Sequence, residues 1–85
     1  MRRRSIVREE LFEDSLAALI GDAEEADEFT AAAEDLLSRE PEIGTPSESG
    51  VWTLPMAPIG ESAVYLYYTF DEDTVLFLAI AAFDE

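Results

Sequence analysis

The pattern of apolar and polar positions divides this chain into two helical segments followed by strands. From Glu9 onward, Phe12, Leu16, Leu19 and Ile20 recur at helical spacing, with Glu9, Glu10, Glu13 and Asp14 at the front. Acids in a first turn complement the helix dipole, so a helix is expected over about 9–20, with Gly21 at its C-cap. Asp22 followed three residues later by Glu25 reads as an N-cap and opens a second helix over about 23–39. Its apolar stripe is Ala26, Phe29, Ala33, Leu36 and Leu37, and its other face is acidic. Pro41 stops it, because proline cannot continue the ladder and disfavours helical geometry at Glu40. The link between the helices is so short that they form an antiparallel hairpin.

The second half alternates with period two. Pro41–Gly50 is rich in Pro, Gly and Ser and reads as a loop. A short strand follows over about 51–54, with Pro55 and Pro58 marking its end or an edge position. Two long strands over about 63–70 and 74–83 flank the acidic turn Asp71-Glu72-Asp73. The pleat places Val64, Leu66, Tyr68 and Phe70 on one face of the first, and Tyr65, Tyr67 and Thr69 on the other. In the second, Leu76, Leu78 and Ile80 oppose Val75, Phe77, Ala79, Ala81 and Phe83. Strands apolar on both faces belong at the centre of a sheet, with helices over one side. The other side is then covered too, or is an interaction surface. Ser5–Val7 is a brief edge strand or the lead-in to the first helix. The expected class is α+β, a single domain over 1–85. An N-terminal antiparallel helical hairpin packs on a three- to four-stranded antiparallel sheet, and residues 1–4 form a flexible basic start.

Composition changes the picture mainly through charge. The 85 residues hold twenty acids against five Arg, a net charge of −15, with no Lys, His or Cys. Four of the Arg lie in residues 1–8, so the chain from Glu9 onward sets all twenty acids against Arg39 alone. Phosphate affinity comes from Lys and Arg displacing counterions, so no nucleic-acid partner is expected. Two readings of the acidity stay open. One is solubility or adaptation of the host to high salt or high genomic GC; the other is an acidic inhibitor or nucleic-acid mimic that binds a basic protein. Without Cys there is no thiolate metal site, which fits a reducing, cytoplasmic setting. The basic start is not followed by the apolar run of a signal peptide, and no apolar run approaches the roughly 20 residues that span a bilayer.

Candidate chemistry is sparse. Ser47, Ser49 and Thr53 have no His or Lys to act as base. Asp71-Glu72-Asp73 lacks the further spaced acids and the Gly of a calcium loop. No catalytic residue, cofactor or metal is expected. Trp52, Tyr65 and Tyr67 are the candidate partner-binding residues, because exposed Trp and Tyr on a sheet suit a protein hot spot. The bland alternative is ordinary packing.

The order of elements, with Leu36-Leu37-Ser38-Arg39-Glu40 running into Pro41-Glu42-Ile43-Gly44, then Tyr67-Tyr68, an acidic turn and an apolar last strand, resembles the RelE/ParE toxin superfamily of toxin–antitoxin systems. The resemblance implies a RelE/ParE-like fold. In the ribosome-dependent RNases of that family, basic side chains on the sheet and a C-terminal Arg or Tyr grip and cleave messenger RNA. Here Val51–Leu54 and Ala63–Phe70 hold no Lys or Arg, and the chain ends Ala81-Ala82-Phe83-Asp84-Glu85. The resemblance therefore implies a divergent relative lacking the basic catalytic residues. As a function it suggests a non-enzymatic protein-interaction module that binds a protein partner or itself, the alternative being a toxin acting on RNA or gyrase.

Overall fold

The computed structural model describes residues 3–59 and 62–83. The elements run β1 (Ser5–Arg8), α1 (Glu10–Leu19), α2 (Ala23–Arg39), a 3-10 turn (Pro41–Ile43), β2 (Thr45–Pro46), β3 (Trp52–Ile59), β4 (Ser62–Phe70) and β5 (Thr74–Phe83). One five-stranded sheet has the order β1-β5-β4-β3-β2. The architecture is α+β, and β4 lies at the centre of the sheet.

The helices form where the apolar spacing places them. Phe12, Leu16 and Ile20 of the α1 segment, with Ala33 and Leu37 of α2, are buried against Val64, Leu66, Tyr68, Val75, Phe77 and Ile80. Asp22 caps α2, its Oδ1 accepting the backbone N–H groups of Glu24 (2.9 Å) and Glu25 (3.4 Å). The end of α1 differs from the glycine cap expected at Gly21. Ile20 takes an extended conformation at the cap and donates its N–H to Leu16 O, and Gly21 has no positive φ. Burial of the Ile20 side chain draws the chain out of the helix one residue earlier.

The sheet is larger than expected and mixed rather than wholly antiparallel. Ser5–Arg8 is an edge strand parallel to β5, with Ile6 beside Val75 and Val7 beside Leu76. Four residues are too few to show a period, and their pairing exists only once β5 has returned beside them. Thr45–Pro46 adds a second short strand, joined to β3 by a turn in which Gly50 has φ +88°. β3 runs through Pro55 and Pro58 instead of ending at Leu54. β2 pairs only with Trp52 and Thr53, so the prolines fall where that flank of β3 has no partner strand to receive a ladder bond. Of the basic start, Met1 and Arg2 lie outside the described residues, as do Gly60 and Glu61 of the connector and the terminal Asp84-Glu85. Arg3 and Arg4 are docked rather than loose. Arg3 contacts Asp35 (2.7 Å) and Ser38, and Arg4 donates Nε–H to Asp71 O (2.6 Å) with its guanidinium over the Phe70 ring.

One irregularity decides which side chains of β5 reach the core. Tyr68 pairs with Phe77 and Tyr67 with Ala79, leaving Leu78 without a counterpart on β4. This β-bulge resets the alternation. Ile80 therefore joins Val75 and Phe77 in the core, while Ala79 and Ala81 turn to the opposite face, the reverse of what an unbroken pleat dictates. Ser15 of α1 sits over the same segment, accepting the Ile80 N–H (3.0 Å) while donating to Phe12 O.

Tyr68 ties the loop after α2 to the central strand. Its ring is fully buried, and its hydroxyl donates to Pro41 O (2.7 Å) and accepts from Gly44 N–H (3.1 Å). A Cβ at Gly44 would collide with the Tyr68 hydroxyl and come within 2.8 Å of Thr53 O, so the close approach requires glycine. The Pro-Glu-x-Gly segment is thus a clasp around one phenol.

Two outcomes follow for stability, both readable by urea denaturation. Tyr68→Phe strands a buried carbonyl and N–H and should cost about 1–3 kcal/mol. Burial also holds the Tyr68 phenol above its usual pKa, with the Gly44 N–H pulling the other way. Its contribution is complete below the unfolded value of about 10 and is lost as pH rises through the folded one. Tyr68→Phe should therefore flatten the alkaline limb. Ile80→Ala truncates the side chain that the bulge turns into the core and should cost about 2–5 kcal/mol.

Candidate protein-docking face

Residues directly opposite each other on neighbouring strands share a face, so the register sorts the candidate site. Tyr65 lies between Pro55 and Ala81, Tyr67 between Thr53 and Ala79, and Thr69 beside Leu76. Val7, beside Leu76 on β1, extends this face to the sheet edge. Both helices bury their apolar stripes against the other face. On the face of Tyr65 and Tyr67, none of Val7, Thr53, Pro55, Ala63, Thr69, Thr74, Leu76, Ala79 and Ala81 is fully buried, and none carries a charge. This is an open, neutral sheet surface carrying two tyrosines.

Trp52 does not belong to it. Its cross-strand partner is Tyr68, and its ring packs on Phe70 at 5.1 Å and Tyr68 at 6.3 Å, beside the helix-side core. The pleat reading grouped Trp52 with Tyr65 and Tyr67 without a register to test it. A one-residue difference in alignment moves a whole strand's side chains across the sheet. The structure thus keeps Tyr65 and Tyr67 together and separates Trp52. It also brings Val7, Thr74 and Leu76, which sequence reasoning missed, beside Thr69, which the pleat already grouped with Tyr65 and Tyr67. Val7, Thr69, Thr74 and Leu76 line an open depression of about 460 Å³ with Phe70 and Asp71 at its rim. The alternation of Ile6 and Val7 was the one signal available, and it is meaningless until β1 has a partner.

The described cations lie elsewhere and are engaged. Arg3 and Arg39 both meet Asp35 at 2.7 Å, and Arg8 meets Glu13 at 3.1 Å and Glu34 at 4.0 Å. Arg4 is held by Asp71 O and Phe70. Such exposed pairs contribute at most about 1 kcal/mol each, but they place every described Arg on the helix side or the sheet edge. Hydrogen bonds and charge from Arg39, then Arg3, hold the Asp35 carboxyl below its usual pKa. The backbone N–H groups of Asp73 and Thr74, both donating to Asp71 Oδ1, do the same for Asp71. A general acid needs the opposite shift, so neither carboxyl suits proton donation. Among the described residues, no group of three or more His, Cys, Asp or Glu is arranged to hold a metal. Among the described residues, no helix is long and apolar enough to cross a membrane.

No family model matches this chain, and no curated protein matches it. Among solved structures it is similar to a chain in the crystal structure of the toxin–antitoxin complex RelBE2 from Mycobacterium tuberculosis. The TM-score is 0.73 at 23% identity, over 100% of this chain and 97% of that one. The fold is RelE/ParE-like. At this identity the likeness carries the fold and not the activity.

The face assignment has a direct test by thermal denaturation. Trp52→Ala removes packing from Phe70 and Tyr68 and should destabilise by about 3 kcal/mol. Tyr67→Thr puts a residue that also favours strands on the open face and should stay within about 1 kcal/mol of the parent.

Proposed function

We propose that this protein is a non-enzymatic protein-interaction module on a RelE/ParE-like fold, related to toxin–antitoxin proteins and working in the cytoplasm. It binds a protein partner through the open sheet face around Tyr65 and Tyr67. The observation that carries the reading is the uncharged face itself, which both helices leave uncovered. Contiguous apolar surface of this kind, carrying tyrosines, suits protein docking. The solved neighbour is described as a toxin–antitoxin complex, which supports a protein partner for a chain of this shape.

Cleavage of RNA is disfavoured by the same surface. Developing charge on a phosphoryl group needs cations or preorganised donors, and every described Arg is engaged with the chain's own acids or carbonyls. Expression in bacteria should give neither growth arrest nor translation-dependent cleavage of messenger RNA; arrest with cleavage would make the protein a toxin instead. Co-expressed with the product of a neighbouring gene, the chain should copurify with it. Tyr67→Asp should weaken that complex by about tenfold or more, since a charge would be buried at a docking face. An unaffected complex would move the partner off this face.

A further inference from the structure

The open face has a notch among the described residues, and its chemistry specifies what fits. Val7, at 47% one of the most exposed large apolar residues described, forms its floor with Leu76, Thr69 and Thr74. The wall is Asp71, at the start of the Asp71-Glu72-Asp73 turn. The turn is pinned by Asp71 Oδ1, which accepts N–H groups from Asp73 (2.8 Å) and Thr74 (2.9 Å), and by the Asp71 N–H donating to Thr74 O. Arg4 approaches this turn through the Asp71 carbonyl and stacks on Phe70, and its charge adds a minor share to the lowering of the Asp71 pKa, after the two backbone N–H groups. Glu72 is exposed beside it.

An apolar floor ending at carboxylates matches a side chain with an aliphatic stem and a cationic head. A second copy of this chain is a poor occupant. It carries a net charge of −15, and its own open face offers no Lys or Arg among the described residues. Nucleic acid is repelled for the same reason.

We propose that the partner presents a basic polypeptide segment to this face, with a Lys or Arg stem over Val7, Thr69 and Leu76 and its head at Asp71 and Glu72. This rests on the open sheet face being the docking surface. The acidity of the chain then has a directional use, drawing a cationic segment toward a neutral face with an acidic end.

The test is an NMR titration of the isotope-labelled full chain with three extended peptides alternating Leu with Lys, Leu with Glu, or Leu with Ser. The Leu/Lys peptide should shift the amides of Val7, Thr69, Thr74 and Leu76. Its affinity should fall by about tenfold or more between about 50 mM and about 500 mM salt. Val7→Thr and Glu72→Lys, both at exposed positions, should each weaken it about threefold to tenfold. Shifts confined to the acidic helix faces would overturn the proposal, because charge alone would then explain binding. Equal binding of all three peptides beside Tyr67 and Thr69 would leave the docking face standing and remove the basic preference. No shift on the open face with any peptide would remove both. A concentration-dependent dimer abolished by Val7→Thr would put a second copy in the notch and overturn the proposal as well.

Discussion

The structure hangs on the Tyr68 phenol. It stands on the central strand with its ring buried between the helices and the sheet, and its hydroxyl closes on Pro41 O and Gly44 N–H. That pair of bonds decides where the chain lands after α2, and hence where β2 can meet β3. It also fixes the neighbours of the ring, so Trp52 and Phe70 close over the same side of the sheet. A buried hydroxyl without partners would be costly. Here it uses both its proton and a lone pair.

Segregation follows from placing both helices on one face. The acids of α1 and α2 lie toward solvent, and the described Arg gather there or at the sheet edge. The opposite face is left with Tyr, Thr, Ala, Leu and Val. In a protein of net charge −15, the described residues sharing this face with Tyr65 and Tyr67 on β3, β4 and β5 include no carboxylate. Fold likeness to a chain from a toxin–antitoxin complex and the absence of a basic groove among the described residues are therefore compatible. The open face carries no described Lys or Arg, and each described Arg is engaged elsewhere.

Much of this was legible from residue order. The helical spacing of Phe12, Leu16 and Ile20, the Asp22 cap, the stop at Pro41 and the apolar strands around the acidic turn act over a few residues, so local chemistry announces them. The inward set Val64, Leu66 and Tyr68 is legible for the same reason. The candidate site was half legible. Tyr65 and Tyr67 share a face by strand periodicity alone, whereas Trp52 could be sorted only by its register against Tyr68. Val7 gave almost no signal, because a four-residue edge strand has too little pattern to read.

The sequence by itself determined the two helices, the long strands, the acidity and the lack of a nucleophile–base pair. The tertiary structure decided the rest. The Leu78 bulge moved Ile80 into the core and Ala79 and Ala81 out of it, an effect no period-two count can contain. The parallel pairing of β1 with β5 placed Val7 beside Leu76 and so made the notch. Both depend on contacts between residues far apart in the chain. Local periodicity tells each strand that it has two faces; only long-range register tells it which neighbours share them.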